Sequence, residues 1–127
     1  MALYVLGDMH LSIGTPDKSM DIFSGWDDYH QLLKQNWLDN VKEEDTVVLA
    51  GDTSWAMKLE DTYADFDFVN RLPGRKIILK GNHDYWWTSM KKMNDFFARN
   101  NFTTLNILHN NHYKYDEYGI CGTRGWV

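Results

Sequence analysis

A single cysteine, Cys121, leaves the chain without any possible intramolecular disulfide, and a lone thiol suits a reducing compartment. No apolar run approaches the roughly 20 residues that a membrane helix needs. The N-terminus lacks the charged segment, apolar stretch and cleavage site of a signal peptide. Both absences point to a cytoplasmic chain with no membrane partner. There is no long basic run either, and the net charge is −5. Non-specific nucleic-acid binding depends on neutralising phosphates with Lys and Arg, so nucleic acid is a disfavoured partner. No internal repeat, low-complexity tract or linker divides the 127 residues, and one small domain is expected. What the chain does have is aromatic side chains, including Trp26, Trp37, Trp55, Trp86, Trp87 and Trp126.

The organising pattern is an apolar run that stops at a glycine and is followed at once by polar side chains. It occurs three times. Ala2 to Leu6 runs into Gly7-Asp8-Met9-His10, Thr46 to Ala50 into Gly51-Asp52, and Lys76 to Leu79 into Gly81-Asn82-His83-Asp84. Each run reads as a strand. Between the first two, Leu11 to Gly25 reads as a loop able to cover a site, and Tyr29, Leu32, Leu33, Trp37 and Val41 recur at helical spacing after Trp26-Asp27-Asp28. A second helix is marked by Leu59, Tyr63, Phe66 and Val69 and ends near Leu72-Pro73-Gly74; a third is expected from about Trp87, with Met90, Met93 and Phe97 on one face. Beyond Asn100-Asn101 the period changes, and Phe102–Leu108, His112–Tyr115 and Tyr118–Cys121 read as short strands. This alternation predicts an α/β chain with a largely parallel sheet, whose site forms beyond the carboxyl ends of the strands, where all three polar endings lie.

The residue types at those ends suit cations. Asp8 and His10, one residue apart, can bring a carboxylate oxygen and an imidazole nitrogen to one ion, a donor mix better matched to zinc, manganese, iron or nickel than to calcium or magnesium. Asp52 has two oxygens and can bridge two ions, and Gly51 permits close backbone approach. Asn82 offers a neutral oxygen that limits the negative charge of the site, leaving His83 to face a substrate. Asp84 can hydrogen-bond His83, or cap the helix expected after Tyr85. Trp55, Trp86 and Trp87 can line a pocket or pack in the core. Arg124 can meet a phosphate as a bidentate donor or simply sit exposed in a turn.

Taken in order, Asp8-Met9-His10, Gly51-Asp52 and Gly81-Asn82-His83-Asp84 resemble the calcineurin-like metallophosphoesterase superfamily over residues 3 to about 90. The resemblance implies two mixed sheets flanked by helices, with a binuclear metal centre of Mn, Fe, Zn or Ni at the strand ends. It implies Asp8 and His10 as ligands of the first ion, Asp52 as the bridge, Asn82 on the second, His83 as the catalytic histidine and Asp84 as its partner. The implied reaction is hydrolysis of phosphomonoesters or phosphodiesters by a metal-activated hydroxide. The chain departs from the family in lacking the later Gly-His and Gly-His-x-His elements, and His109 and His112 do not map onto them. The ending at Gly125-Trp126-Val127 reads as the N-terminal portion of a domain whose second half is absent. Two consequences are expected: an uncovered sheet face at Ile107, Tyr113 and Ile120, open to a second copy or to a missing C-terminal half, and, as the competing reading of the whole chain, a non-catalytic metal-binding or self-associating module.

Overall fold

The computed structural model describes residues 1–125; Trp126 and Val127, from which a missing second half was read, lie outside the described residues. The elements are β1 (Leu3–Leu6), α1 (Tyr29–Asn40), β2 (Thr46–Leu49), α2 (Tyr63–Arg71), β3 (Arg75–Ile78), α3 (Met90–Arg99), β4 (Leu105–Ile107), β5 (Asn111–Tyr115) and β6 (Tyr118–Gly122). Strands β1 to β4 form one parallel sheet in chain order, and β5 and β6 form a separate antiparallel hairpin. Val5 pairs with Val48 and Val48 with Ile77, and Leu6 pairs with Leu49 and Leu49 with Ile78, so the three strands end in step. The expected α/β class with helices flanking a parallel sheet is what the chain adopts.

The period of two in the strands divides the core. Val47, Leu49, Ile78 and Ile107 face one side, where Trp37 and Val41, Phe66 and Val69, and Met93, Phe96 and Phe97 pack against them. Val48, Ile77 and Leu108 face the other, where the β5–β6 hairpin covers them through Tyr113 and Ile120. The uncovered face expected at Ile107, Tyr113 and Ile120 is therefore corrected. Ile107 is fully buried, and Tyr113 and Ile120 are half-buried on the hairpin that does the covering. Within the parallel sheet, apolar side chains stay exposed on β1, the edge strand, at Leu3, Tyr4 and Val5.

The helices begin and end for local reasons. In α1 only Trp37 is buried, with Tyr29 and Leu33 partly so, and Leu32 points outward. Trp37 Nε1 donates to Pro73 O at 2.9 Å, tying α1 to the turn after α2. Helix α3 starts at Met90 rather than near Trp87. Ser89 caps it by accepting from Lys92 N at 3.2 Å, and residues 84–87 form a turn closed by Trp87 N donating to Asp84 O. Lys76 lies fully buried on β3, and its ammonium donates to Leu72 O, Asn70 O and Thr104 Oγ1, carbonyls at the end of α2 among them. Burial pushes its pKa down to about 8.

Candidate metal centre

The chain leaving β1 and the chain leaving β2 run side by side beyond the sheet. Asp8 N donates to Gly51 O, His10 N to Asp52 O and Leu11 N to Thr53 O, at 2.9 to 3.0 Å. This irregular ladder brings Asp8 and His10 next to Asp52. The geometry requires unusual backbone: Asp8, His10 and Asp52 all have positive φ, at 56°, 45° and 53°. Left-handed conformations of non-glycine residues cost on the order of 1–3 kcal/mol each and gather where function holds them.

The third strand end joins through glycine. A Cβ on Gly51 would lie 2.7 Å from Gly81 Cα, and a Cβ on Gly81 would fall inside contact distance of the Asp52 carboxylate and amide. The two loops thus touch backbone to backbone, a contact only glycine allows at both positions. Asp84 then fastens them. Its Oδ2 accepts from Asp52 N at 2.8 Å and Gly81 N at 2.7 Å; its Oδ1 accepts from Thr53 N at 2.9 Å, Trp86 Nε1 at 3.0 Å and, at 3.4 Å, Ser54 N. Burial pushes the Asp84 carboxyl above the ordinary carboxylate value, and the N–H donors oppose that shift. With only donors facing both oxygens, the bonded form is the carboxylate.

The pairing of Asp84 with His83 is therefore corrected: among the described residues no hydrogen bond joins them, and Asp84 does not cap a helix. The partner of His83 is Asp52. His83 N donates to Asp52 Oδ1 at 2.8 Å and His83 Nδ1 lies 3.0 Å from Oδ2. These bonds, with the nearby rings of His83 and His10, outweigh burial and hold the Asp52 carboxyl below its ordinary value.

The donor atoms of Asp8, His10 and Asp52 all lie within 4.8 Å of one another, the one such group of metal-capable side chains among the described residues. His10 Nε2 is 3.8 Å from both Asp8 Oδ1 and Asp52 Oδ2. Two carboxylates and an imidazole that converge without filling the space between them suit a divalent cation with borderline affinity for nitrogen and oxygen. Asn82 lines the same cavity of about 350 Å³ as Asp8, Gly51 and Asp52. His109 and His112 stand apart from the cluster: His109 packs against Trp87, and His112 is exposed on β5. Residues 1–124 match the calcineurin-like phosphoesterase family. The chain belongs to that family.

Membership of this family implies a divalent-metal cofactor. Among solved structures the chain is similar to a protein of unknown function, AQ665, from Aquifex aeolicus, at 22% identity with a TM-score of 0.54. That match covers 94% of this chain and 58% of the other, and it bears on the fold alone. No curated protein matches the chain in sequence.

Other side chains support this centre, and of these Tyr29 and Asp65 carried no sequence signal of that role. Tyr29 on α1 donates its hydroxyl to His10 O, and Trp55 stacks on the His10 ring at 4.7 Å and tilts against His83 at 5.2 Å. Asp65, fully buried on α2, accepts from Ile13 N at 2.7 Å and Ser54 Oγ at 2.6 Å, holding the loops after β1 and β2 together. Its carboxyl is pushed up by burial. An aromatic in a helix stripe and an acid in a short amphipathic helix look like core edge and surface until the tertiary fold shows otherwise. Of the tryptophans flanking the motifs, Trp86 is core, Trp55 belongs to the centre, and Trp87 is partly buried beside a second cavity.

Proposed function

We propose that the chain carries the metal-binding half of a phosphoesterase site, with Asp8, His10 and Asp52 holding one divalent ion and Asp52 and Asn82 contributing to a second. The observation that supports this reading is the convergence of Asp8, His10 and Asp52 from two strand ends onto one point. Divalent ions bound there would supply an acidified water as nucleophile and neutralise charge on the phosphoryl oxygens. The chain's own residues do the rest. Gly51 and Gly81 let the two loops close up, and Asp84 fixes their amides, so Asp52 presents its carboxylate from a rigid base. Asp52 also orients His83 through Nδ1, which leaves Nε2 to face the ester and serve its leaving oxygen as a proton donor. Phosphomonoesters and phosphodiesters both fit this arrangement, and manganese, iron, zinc and nickel all fit the donors. A cytoplasmic location belongs to the same reading, from the lone thiol of Cys121.

The test is elemental analysis of manganese-loaded protein alongside turnover of bis(p-nitrophenyl) phosphate. The expected outcome is manganese-dependent hydrolysis that falls about 10²- to 10⁴-fold in His83→Ala, the range for losing a general acid, with the metal retained. Less than one ion held per chain and no turnover would instead favour a non-catalytic module.

A further inference from the structure

A further cavity, of about 270 Å³, is lined by two aromatic side chains that border His83. Trp55 lies 5.2 Å from the His83 ring, centroid to centroid, and Tyr85 lies 6.0 Å from it. Trp55 is also stacked on His10, at 4.7 Å. The other walls come from the segment after β1, whose short 3-10 turns at Pro16–Lys18 and Met20–Ile22 bring Met20, Ile22 and Phe23 to the cavity. Ile22 is 82% exposed, Phe23 52% and Tyr85 51%. One exposed apolar side chain needs no explanation, but three around one cavity mark a surface that meets something apolar. Asp17 and Lys18 bring one charge of each sign, so the lining has no net charge. The Lys18 ammonium donates to Trp55 O at 3.5 Å, which fastens the segment beside the ring.

We propose that this cavity receives the organic group of the ester, and that the preferred substrates carry an aromatic ring there. The inference rests on the proposed centre, which sets His83 as proton donor to the leaving oxygen. In hydrolysis a water oxygen bonds phosphorus, the bond from phosphorus to the leaving oxygen breaks, and that oxygen takes up a proton. The organic group is attached to that oxygen, so it lies within a few bonds of His83, where Trp55 and Tyr85 stand. Aromatic walls favour an aromatic ligand, because stacked and edge-to-face rings add to the gain from burying apolar surface. An apolar cavity of roughly 150 Å³ holds a benzene, so this one has room for a ring and its linker. A short alkyl group would leave the apolar rim in water.

Two measurements test this, one without activity. In metal-free protein, benzyl alcohol should shift the Trp55 indole signal in proton–nitrogen correlation spectra, saturably and more than the other indole signals; Trp55→Phe assigns the peak. The affinity should fall about tenfold when Ile22→Ser and Phe23→Ser are combined, both at exposed positions. With manganese, phenethylphosphonate should inhibit hydrolysis of bis(p-nitrophenyl) phosphate with an inhibition constant about tenfold below that of propylphosphonate, and the ratio should fall toward one in the double variant. A Trp55 signal that moves no more than the others, or equal inhibition constants, overturns the inference. So does a dimer in sedimentation that the double variant abolishes and that blocks the benzyl alcohol shift, which would assign the apolar rim to a second copy. A saturable Trp55 shift without any manganese-dependent turnover would uphold the cavity and sink the proposed centre. Manganese-dependent turnover with equal inhibition constants would do the opposite.

Discussion

The inner and outer walls of the site are built differently. The inner wall is Asp52 with Gly51 and Asp84, all buried, and the half-buried Gly81: backbone against backbone, with a single carboxylate gathering the amides of both loops. The outer wall is Asp8, Asn82, Thr123 and Arg124, all exposed. In the inner wall each loop occupies the space that a side chain on the other would need. This difference separates two kinds of contributor to the site: Asp52 is held from beneath by both loops, whereas Asp8 and Asn82 reach the same cavity from its exposed side.

The sharpest way to break the comparison is to push the inner loops apart. Gly81→Ala places a methyl group on the Asp52 carboxylate. We expect manganese affinity to fall at least about 100-fold, and stability to drop by about 1–3 kcal/mol as for other overpacked sites. Calorimetric titration and urea unfolding measure the two effects. An alanine variant that binds manganese normally would show that the glycine contact does not position Asp52.

Removing the fastening charge should come next in size. Asp84→Asn keeps the shape but turns an NH2 group toward amides that donate to Asp84. A buried donor left without an acceptor costs about 1–3 kcal/mol, so the urea midpoint should fall accordingly while the secondary structure by circular dichroism is retained. The outer wall gives the contrast, because Asn82→Ala, at an exposed position, should leave the unfolding free energy of metal-free protein within about 0.5 kcal/mol of the parent.

A pH dependence arises far from both walls. The unfolded chain keeps the Lys76 proton up to its ordinary value of 10.5, whereas the folded chain releases it at about 8. Between those values the unfolded state holds more protons, so folding stability from this group rises with pH; below about 8 the full burial cost is present. In Lys76→Met this rise should be absent, so the difference between the two pH–stability curves should carry it. An unchanged slope would contradict it.

Much of the centre was legible because a short apolar run ending in Gly-Asp or Gly-Asn-His-Asp is a local pattern. The strands at Leu3–Leu6, Thr46–Leu49 and Arg75–Ile78 lie where those runs stand, and their endings converge. What a residue bonds to is a tertiary fact and was less readable. Asp84 looks like a partner for the adjacent histidine, yet its bonds reach some 30 residues back, to Asp52, Thr53 and Ser54. Tyr29 and Asp65 carried no mark of their service to His10 and Ser54. Burial of whole strands was also beyond the pattern. Leu3-Tyr4-Val5 and Thr46-Val47-Val48 read alike, but one is an exposed edge and the other is covered on both faces. The hairpin's reach over Val48, Ile77 and Leu108 decided which apolar face stayed open, and nothing local in β5 or β6 specifies it.

Anomalous diffraction at the manganese edge, from crystals soaked in that ion, tests the central claim most directly. The account predicts a peak bounded by the side chains of Asp8, His10 and Asp52. Density for manganese elsewhere, with none among those three groups, would contradict it.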